Sequence, residues 1–479
     1  MPQVLTLDKK FIFAALASAL AVSLIYGLPH FLIKNQLAGQ GKIYSPITVF
    51  SDGDEAQIYA PFIKEAEEGK IFLGDPALKE HDKNFSLMPL SGPLFLGLSA
   101  RLVGMGNIWI LSDFLFPALI FLIFFILIYE IVGMAHISLV LAGIFIFARE
   151  VASLIPFSTF QQFKSFAVYF KPYLSGAVEN RLPFDRLLAP EWTFIPLGIF
   201  FISWFISLKK RTVFSSVVTG IFSGFLFYSY PYDWMSVFLI LGANLIFLFL
   251  SRDYRGAKLA LITIISGFIV SLPYWIYFLE ISRLPQYKEL INRTGLEVGR
   301  TFRFFLTPHY VLWLGSSLWL FVKNKKNPMA LGASAIFVAS FVAMNMLMVI
   351  GYVPQPDHFF RYPLAFGLFF AYVILVKELL SRYYSFFTPY KRYFLTIAVV
   401  ALIMVFTRGV QLQKAYADQN SWRYALEKPI SESFLWLNEK TKEDSIVLSP
   451  SVVTNTHLLI FTKAKVFVPP TGVVTTASE

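Results

Sequence analysis

Long apolar runs recur along this chain, and each run restricts what the chain can fold into. The first, FIFAALASALAVSLIYGLPHFLI at residues 11–33, exceeds the roughly 20 residues that a helix needs to cross hydrocarbon. Backbone groups find no water inside a membrane, so helices are the form in which such runs span it. With 56% hydrophobic residues and a mean hydropathy of +0.61, the sequence predicts a polytopic all-α membrane protein.

Thirteen segments are candidates for transmembrane helices. They are residues 11–33, 86–104, 108–129, 132–148, 151–170, 191–208, 213–230, 232–250, 258–278, 304–322, 329–350, 359–380 and 393–412. Two of them, 86–104 and 151–170, are interrupted by Pro, Gly and polar residues, so they need a separate test.

Basic clusters between the spans provide that test, because Lys and Arg favour the cytoplasmic side of a membrane. The clusters are Lys9-Lys10, Lys209-Lys210-Arg211, Arg252 with Arg255 and Lys258, Lys323 with Lys325 and Lys326, and the region from Lys377 to Arg392. With a cytoplasmic N-terminus, all of them fall inside if both interrupted segments cross, and also if neither does. We expect both to cross, which gives thirteen spans; eleven is the alternative.

This topology divides the chain into a membrane domain, residues 1–412, and an extracytoplasmic segment, residues 413–479. The outer loops would be residues 34–85, 171–190, 279–303 and 351–358. A helical pattern in SESFLWLNEKTKED and strand patterns in SIVLSP and KAKVFVPP predict a small α/β fold for the C-terminal segment. We expect that segment to be incomplete, because no closing element precedes Glu479. The first run is too long for a signal peptide and is expected to stay as an anchor.

Charge and composition exclude several classes of function. The net charge of +11 does not predict a nucleic-acid partner, because the basic residues lie in short clusters between apolar runs. The chain has no cysteine, which excludes disulfides, thiolate metal sites and cysteine nucleophiles. The histidines lack metal-ligand spacing, and no glycine-rich phosphate loop occurs.

The densest acidic cluster lies just beyond the first apolar run, in SDGDEAQIYAPFIKEAEEGK at residues 51–70. Asp52, Asp54 and Glu55 fit two interpretations. At the N-terminus of a helix they would interact favourably with the helix dipole. At the water–lipid boundary, one of them could take a proton from a hydroxyl or help to hold a divalent cation.

Two further segments are assigned to the membrane boundary. The helix after the acidic cluster has Ile58, Phe62 and Ala66 on one side, and we expect that side to lie on the membrane. The aromatic turn FLFYSYPYDWMSVF, residues 225–238, is typical of an aromatic belt. Stacking against a sugar is the alternative for this turn.

Arginines in the outer loops supply groups of opposite charge, whose planar forks match phosphate oxygens. They are Arg181 and Arg186 in ENRLPFDRLLAPEW, Arg293, Arg300 and Arg303 in INRTGLEVGRTFRFF, and Arg361, near His358, in QPDHFFRYP. One interpretation is that they bind the headgroup of a phosphorylated lipid. The other is that they reach lipid phosphates without specificity.

The basic N-terminus, the single span and the loop that begins DGDEAQIYAPFIKEAEEGK resemble the start of GT-C type integral-membrane glycosyltransferases. The segments NRLPFDRLLAPEWTFIPLGIFF, GFLFYSYPYDW and SFLWLNEKTKEDSIVLSPSVVTN are similar to bacterial and archaeal members of that superfamily. Its members include protein O-mannosyltransferases, the aminoarabinose transferase of lipid A and oligosaccharyltransferase subunits. They use an acidic residue at the start of the first extracytoplasmic loop. The resemblance implies this catalytic role for Asp54, with Glu55 behind it and Asp52 as the substitute.

The chain departs from the superfamily in two respects. No second Asp-x-Asp pair occurs in a later outer loop, and the Trp-Trp-Asp signature of oligosaccharyltransferases is absent. Both differences count against oligosaccharide transfer to asparagine and weaken the case for a bound metal. Mg²⁺ or Mn²⁺ stays open as a cofactor.

The resemblance implies a polyprenyl-phosphate-linked sugar as donor and a lipid, glycan or protein as acceptor, with inversion at the anomeric carbon. The donor phosphate would lie near Arg361 and His358, with Arg186, Arg181 and Arg300 as further candidates. The expected location is a bacterial or archaeal plasma membrane, with the N-terminus in the cytoplasm and the C-terminus outside. A secondary transporter, which would need ionisable residues at mid-membrane, and a non-catalytic membrane protein are the alternatives.

Overall fold

The computed structural model describes residues 8–48, 55–71, 73–81, 89–147, 182, 184, 187–285, 287, 296–303, 306–354, 356–381, 391–443 and 445–467. The helices are α1 (Lys9–Gly39), α2 (Glu55–Glu68), α3 (Ser91–Val103), α4 (Met105–Val132), α5 (Ala135–Phe147), α6 (Thr193–Lys210), α7 (Val213–Phe225), α8 (Pro231–Leu250), α9 (Tyr254–Ser282), α10 (Thr307–Lys323), α11 (Pro328–Met344), α12 (Met346–Ile350), α13 (Pro356–Phe359), α14 (Ala365–Ser381), α15 (Lys391–Asn420), α16 (Lys428–Lys440) and α17 (Val452–Phe461). Two π-helical turns (Leu187–Trp192 and Phe360–Leu364) and three 3₁₀ turns (Lys79–His81, Leu226–Tyr228 and Ser421–Tyr424) connect them.

Little of the described chain is sheet. The strands are β1 (Ile43–Tyr44), β2 (Leu296–Val298), β3 (Tyr352–Pro354), β4 (Ala425–Leu426), β5 (Ile446–Val447) and β6 (Lys465–Val466). They pair two by two: β1 with β4 and β2 with β3 are antiparallel, and β5 with β6 is parallel.

The prediction of a polytopic helical membrane protein is confirmed. Among the described residues, seven helices are long and apolar enough to span a membrane: Lys9–Gly39, Met105–Val132, Thr193–Lys210, Pro231–Leu250, Tyr254–Ser282, Tyr362–Ser381 and Thr396–Tyr424. Three shorter apolar helices accompany them: Ala135–Phe147, Val213–Tyr228 and Pro328–Met344. Interlocked aromatic rings fill the centre of the bundle; for example, the Phe124 and Phe145 ring centroids are 3.8 Å apart.

One face of the bundle, here called the basic face, gathers the positively charged helix ends. Lys209 at the end of α6 donates to the carboxylate of Glu130 near the end of α4, at 2.6 Å. Lys377 in the last turns of α14 donates to the carbonyl of Ile131, at 2.5 Å. Because α4, α6 and α14 all end here, these three helices run in the same direction through the bundle.

The opposite face, here called the loop face, carries the described residues between α1 and α4 and the segment that follows α15. His30, near the end of α1, is 2.8 Å from the carboxylate of Asp113 in the first turns of α4. Gln36 donates to Asp418 near the end of α15, at 2.9 Å. Therefore α1 and α15 end on the loop face, and α4 begins there.

Residues 89–104 do not cross the bundle, so the prediction of a span at 86–104 is wrong. It contains the 13-residue helix α3, and α3 joins two points on the loop face, since α1 ends and α4 begins there. Within the described residues eleven helices run between the faces: α1, α4 to α11, α14 and α15. Eleven is the alternative number of spans from the sequence analysis, and it also places all the basic clusters on one side of the membrane. The other doubtful segment, 151–170, lies outside the described residues.

Helix α2 also differs from its prediction. Its apolar residues Phe62 and Ala66 are buried by protein, whereas we expected them to lie on the membrane. Helix α3 covers them at close range: a Cβ on Gly97 would lie 2.3 Å from the Cβ of Ala66 and 2.5 Å from the carbonyl oxygen of Ile63. Only glycine permits this approach, so α2 and α3 form a tightly packed pair on the loop face.

The C-terminal segment has the small α/β fold that its sequence patterns predict. Helix α16 leads to β5, and α17 connects β5 to the parallel strand β6. Helix α17, which the patterns did not predict, packs against α2. A parallel pair needs such a crossover, because its strands run in the same direction.

Candidate functional site

A small cavity on the loop face is the candidate site, because it joins elements that are far apart in the sequence. Its lining residues are Tyr59, Pro89, Gly92, Leu188, Trp192, Thr193, Ser229 and Tyr230. They come from α2, the N-terminal side of α3, the turn that enters α6, and the turn between α7 and α8. The cavity measures about 10 Å³, enough for about one water molecule, so a larger ligand has to displace one of its walls.

Packing of α3 against the π-helical turn fixes one side of the cavity. The rings of Trp192 and Phe95 stack with centroids 4.6 Å apart, and Trp192 Nε1 donates to the hydroxyl of Ser91, at 3.2 Å. A Cβ on Gly92 would lie 2.3 Å from Leu188. The glycine therefore lets the start of α3 approach this turn closely.

Tyr230 connects the cavity to the segment that contains two of the predicted phosphate-binding residues. Its hydroxyl lies 2.5 Å from Nδ1 of His358. Burial raises the pKa of Tyr230 well above its usual value, so the hydroxyl stays uncharged beside the ring. Tyr230 and Tyr232 are buried rather than set in an aromatic belt, which corrects the interpretation of these two residues.

Buried polar groups surround the same region, and the sequence interpretation did not select them. Asp233, in the first turn of α8, has no exposed surface, and both of its carboxylate oxygens lack a hydrogen-bond partner among the described residues. Within the same part of the chain, the buried hydroxyl of Ser229, which lines the cavity, also has no partner. Glu191, in the π-helical turn, is fully buried. The sequence signal that could have identified Asp233 is a single carboxylate at the start of an apolar run.

The predicted acidic residues precede or begin α2, the helix that supplies Tyr59 to the cavity. Asp52 and Asp54 lie outside the described residues. Glu55 is the first residue of α2, and its side chain lies outside the description. It precedes Tyr59 by four residues, a spacing that places two positions on the same side of a helix.

The predicted phosphate-binding residues are described unevenly. Arg181, Arg186 and Arg293 lie outside the described residues, as does the side chain of Arg361, whose backbone follows His358 by three residues.

Arg300 is exposed at the loop face and donates to the carbonyls of Met348 and Val349, at 3.2 and 3.1 Å. Arg303 pairs with Glu297, at 2.5 Å. The structure therefore brings His358 into contact with a residue that lines the cavity and places Arg300 beside the β2–β3 pair.

Two observations concern the predicted divalent cation and the alternative of a secondary transporter. No group of three or more His, Asp or Glu side chains within the described part of the chain could hold a metal ion; the divalent cation stays a prediction, since Asp52 and Asp54 are outside that part. Arg408 is buried inside α15, a position that the sequence interpretation overlooked although it interrupts an apolar run.

A second polar cluster lies away from the cavity, between α1 and α4. His30 contacts Asp113 through Nε2 and the hydroxyl of Tyr44 through Nδ1. The rings of Tyr44 and Tyr424 stack with centroids 6.0 Å apart, next to the β1–β4 pair. This cluster links the end of α1 to the C-terminal segment.

No family model matches the chain, and no curated protein matches its sequence. Among solved structures, the fold is similar to the crystal structure of ArnT from Cupriavidus metallidurans bound to undecaprenyl phosphate. The TM-score is 0.50 at 12% sequence identity, over 96% of this chain and 86% of that chain. This chain has an ArnT-like membrane fold. At this identity the similarity concerns the fold alone, and it agrees with the GT-C resemblance of the sequence motifs.

Proposed function

We propose that this protein is a membrane glycosyltransferase that moves a sugar from a polyprenyl-phosphate donor to an acceptor hydroxyl at the loop face. One observation carries the proposal: Tyr59 of α2 and Tyr230 line the same cavity, and Tyr230 is bonded to His358. Tyr230 thus links α2, which follows Asp54 in the chain, with the segment that contains Arg361, and this supports a shared site. The undecaprenyl phosphate in the ArnT structure supports a lipid-phosphate donor for this chain.

In the proposed reaction, Asp54 takes the proton of the acceptor hydroxyl as its oxygen attacks the anomeric carbon. The bond between that carbon and the phosphate oxygen breaks, and its electron pair leaves with the lipid phosphate. Attack from the side opposite the leaving group inverts the anomeric configuration. Glu55 stands behind Asp54, and Asp52 is the substitute base.

Positive groups would stabilise the departing phosphate, which is usually the largest contribution to such catalysis. Arg361 is the principal candidate, with Arg186, Arg181 and Arg300 as further ones. His358 is a further candidate to donate to a phosphate oxygen, because its ring bonds to Tyr230 at the edge of the cavity.

Transfer by the purified protein in nanodiscs, from a panel of polyprenyl-phosphate sugars, tests the proposal. We expect Asp54→Asn to fold normally and to lose about 10²- to 10⁴-fold in transfer rate, the usual cost of removing a general base. Glu68→Gln, at the other end of α2, is the matched control and should keep its activity. Full activity of Asp54→Asn would remove Asp54 from the mechanism, and a wild-type protein inactive with every donor would refute the transferase.

A further inference from the structure

Helix α3 has two different sides. One side carries Leu96 and Ala100, which are buried in an apolar cluster with residues of α2 and α4. The other exposes three large apolar side chains, Phe95 at 45%, Leu98 at 50% and Leu102 at 87%. Spacings of three and four residues place them in one stripe, so the helix presents a continuous apolar surface outward.

This stripe continues directly onto a membrane span. Only Gly104 separates α3 from α4, and Asn107 in the first turn of α4 donates to the carbonyl of Val103, at 2.7 Å. The next exposed side chains along α4 are Leu111, Leu115 and Leu119, at intervals of four residues. Helix α4 is a candidate membrane span, so the stripe on α3 is followed in the chain by exposed leucines on a helix suited to lipid.

The same stripe adjoins the candidate site. Phe95 is half exposed, and its ring stacks on Trp192, which lines the cavity together with Gly92 of α3. Two stacked rings therefore separate the cavity from the outer surface of α3. At the end of the stripe, exposed Arg101 donates from Nε to the carbonyl of Glu67, at 2.7 Å, a position suited to the level of lipid headgroups.

We propose that α3 lies in the boundary between bilayer and water with Phe95, Leu98 and Leu102 in lipid, and that the apolar tail of a lipid substrate reaches the cavity along this stripe. The path of the lipid tail rests on the proposed function. The occupant is hydrocarbon rather than another protein, because the stripe leads within a few residues into a candidate membrane span with exposed leucines. Movement of the Phe95–Trp192 pair would then open the cavity toward the membrane.

The absence of cysteine makes the first half directly testable. A fluorophore attached to Leu98→Cys is placed in phosphatidylcholine nanodiscs that contain lipids with a quenching group on the acyl chain. We expect quenching as strong as at Leu115→Cys on α4, and little quenching at Lys442→Cys, an exposed position after α16. A signal at Leu98→Cys like that at Lys442→Cys would overturn the proposal.

Photo-crosslinking tests the path of the tail without needing turnover. A photoreactive amino acid replaces Phe95 in one variant and Ile269, an exposed residue of α9, in the other. We expect radiolabelled undecaprenyl phosphate to label the first several times more strongly than the second, and equal labelling would refute the path. Absence of sugar transfer by the wild-type protein would count against the proposed function alone, because neither measurement depends on catalysis.

Discussion

At the residue scale, Tyr230 is the most informative position. Its hydroxyl bonds to a ring 128 residues later in the chain, and its own ring borders the cavity beside Tyr59. Tyrosine suits this position because burial keeps its hydroxyl protonated. Tyr230 therefore links the cavity to His358.

Replacing Tyr230 with Phe tests this bond. The variant loses one buried hydrogen bond, worth about 1 kcal/mol, and we expect kcat/KM for the lipid-phosphate donor to fall at least roughly fivefold. Tyr228→Phe is the matched control, because its hydroxyl donates to the carbonyl of Val270 instead, at 2.9 Å. An equal loss in both variants would show a general effect of losing a tyrosine hydroxyl.

In the C-terminal segment, burial of His457 has the opposite effect to burial of Tyr230: it lowers the pKa. Its ring stacks on Phe461, with centroids 5.8 Å apart, and burial lowers the pKa of His457 to about 4. In the unfolded chain the pKa of a histidine is about 6.5. Between these values the unfolded chain binds the proton more readily, so the folded segment loses stability as the pH falls from about 6.5 to about 4.

We expect the free energy of unfolding of this segment to fall by about 3 kcal/mol when the pH reaches about 4, since one pKa unit corresponds to about 1.4 kcal/mol. Hydrogen exchange of α16 and α17, measured at pH 7 and at pH 4.5, follows it. His457→Phe keeps an aromatic ring and should remove most of the pH dependence. A variant as sensitive to acid as the wild type would assign the effect to other groups.

At the element scale, the C-terminal segment holds α2 in place through a buried charged cluster. Lys465 of β6 donates to the Glu65 carboxylate of α2, at 2.5 Å, and to the Pro76 carbonyl, at 2.9 Å. Lys70 donates to the same carboxylate oxygen, at 2.9 Å. Because the cavity has a wall from α2, its shape depends on a segment 400 residues later in the chain.

Lys465→Met should loosen this attachment, because it removes one partner from a buried carboxylate, a change that costs about 3 kcal/mol. We expect faster hydrogen exchange in α2 and a lower unfolding temperature. Lys463→Met, two residues earlier and exposed, is the control. Adding Glu65→Leu to Lys465→Met should restore most of the stability, since no buried charge then lacks a partner. Failure of this restoration would contradict the explanation.

At the scale of the whole molecule, the arrangement of helix ends decides the topology. If the segment 86–104 crossed the membrane, residues 42 and 107 would lie on opposite sides. The contact between His30 and Asp113 places the end of α1 and the start of α4 together. The basic clusters lie at the other end of the bundle, and we expect that end to be cytoplasmic.

Single cysteines at Lys42, Asn107 and Lys326 test this arrangement in intact cells. An impermeant maleimide should label the first two positions without permeabilisation, and the third only after it. Lys258→Cys, also at the basic face, should behave like Lys326→Cys. If Asn107→Cys instead responds like Lys326→Cys, α3 crosses the membrane and the topology derived from the helix contacts is wrong.

The amino-acid sequence by itself determined the type and position of most of the helices. Runs of apolar residues become helices because hydrocarbon leaves backbone groups no other partners, and the basic clusters sort the ends of those helices. The predicted spans from 191–208 to 393–412 all correspond to helices in the structure. The acidic cluster 52–55 and Arg361 stay predictions, because they lie wholly or partly outside the described residues.

Only the tertiary structure decided what covers each amphipathic helix. The apolar side of α2 looks the same in sequence whether lipid or protein covers it, and α3 covers it because Gly97 allows close approach. The short run of α3 could have crossed the membrane, but the pairing of α1 with α4 leaves it on the loop face. Contacts such as Tyr230 with His358 and Glu65 with Lys465 have no local pattern, because they form only when distant elements pack together.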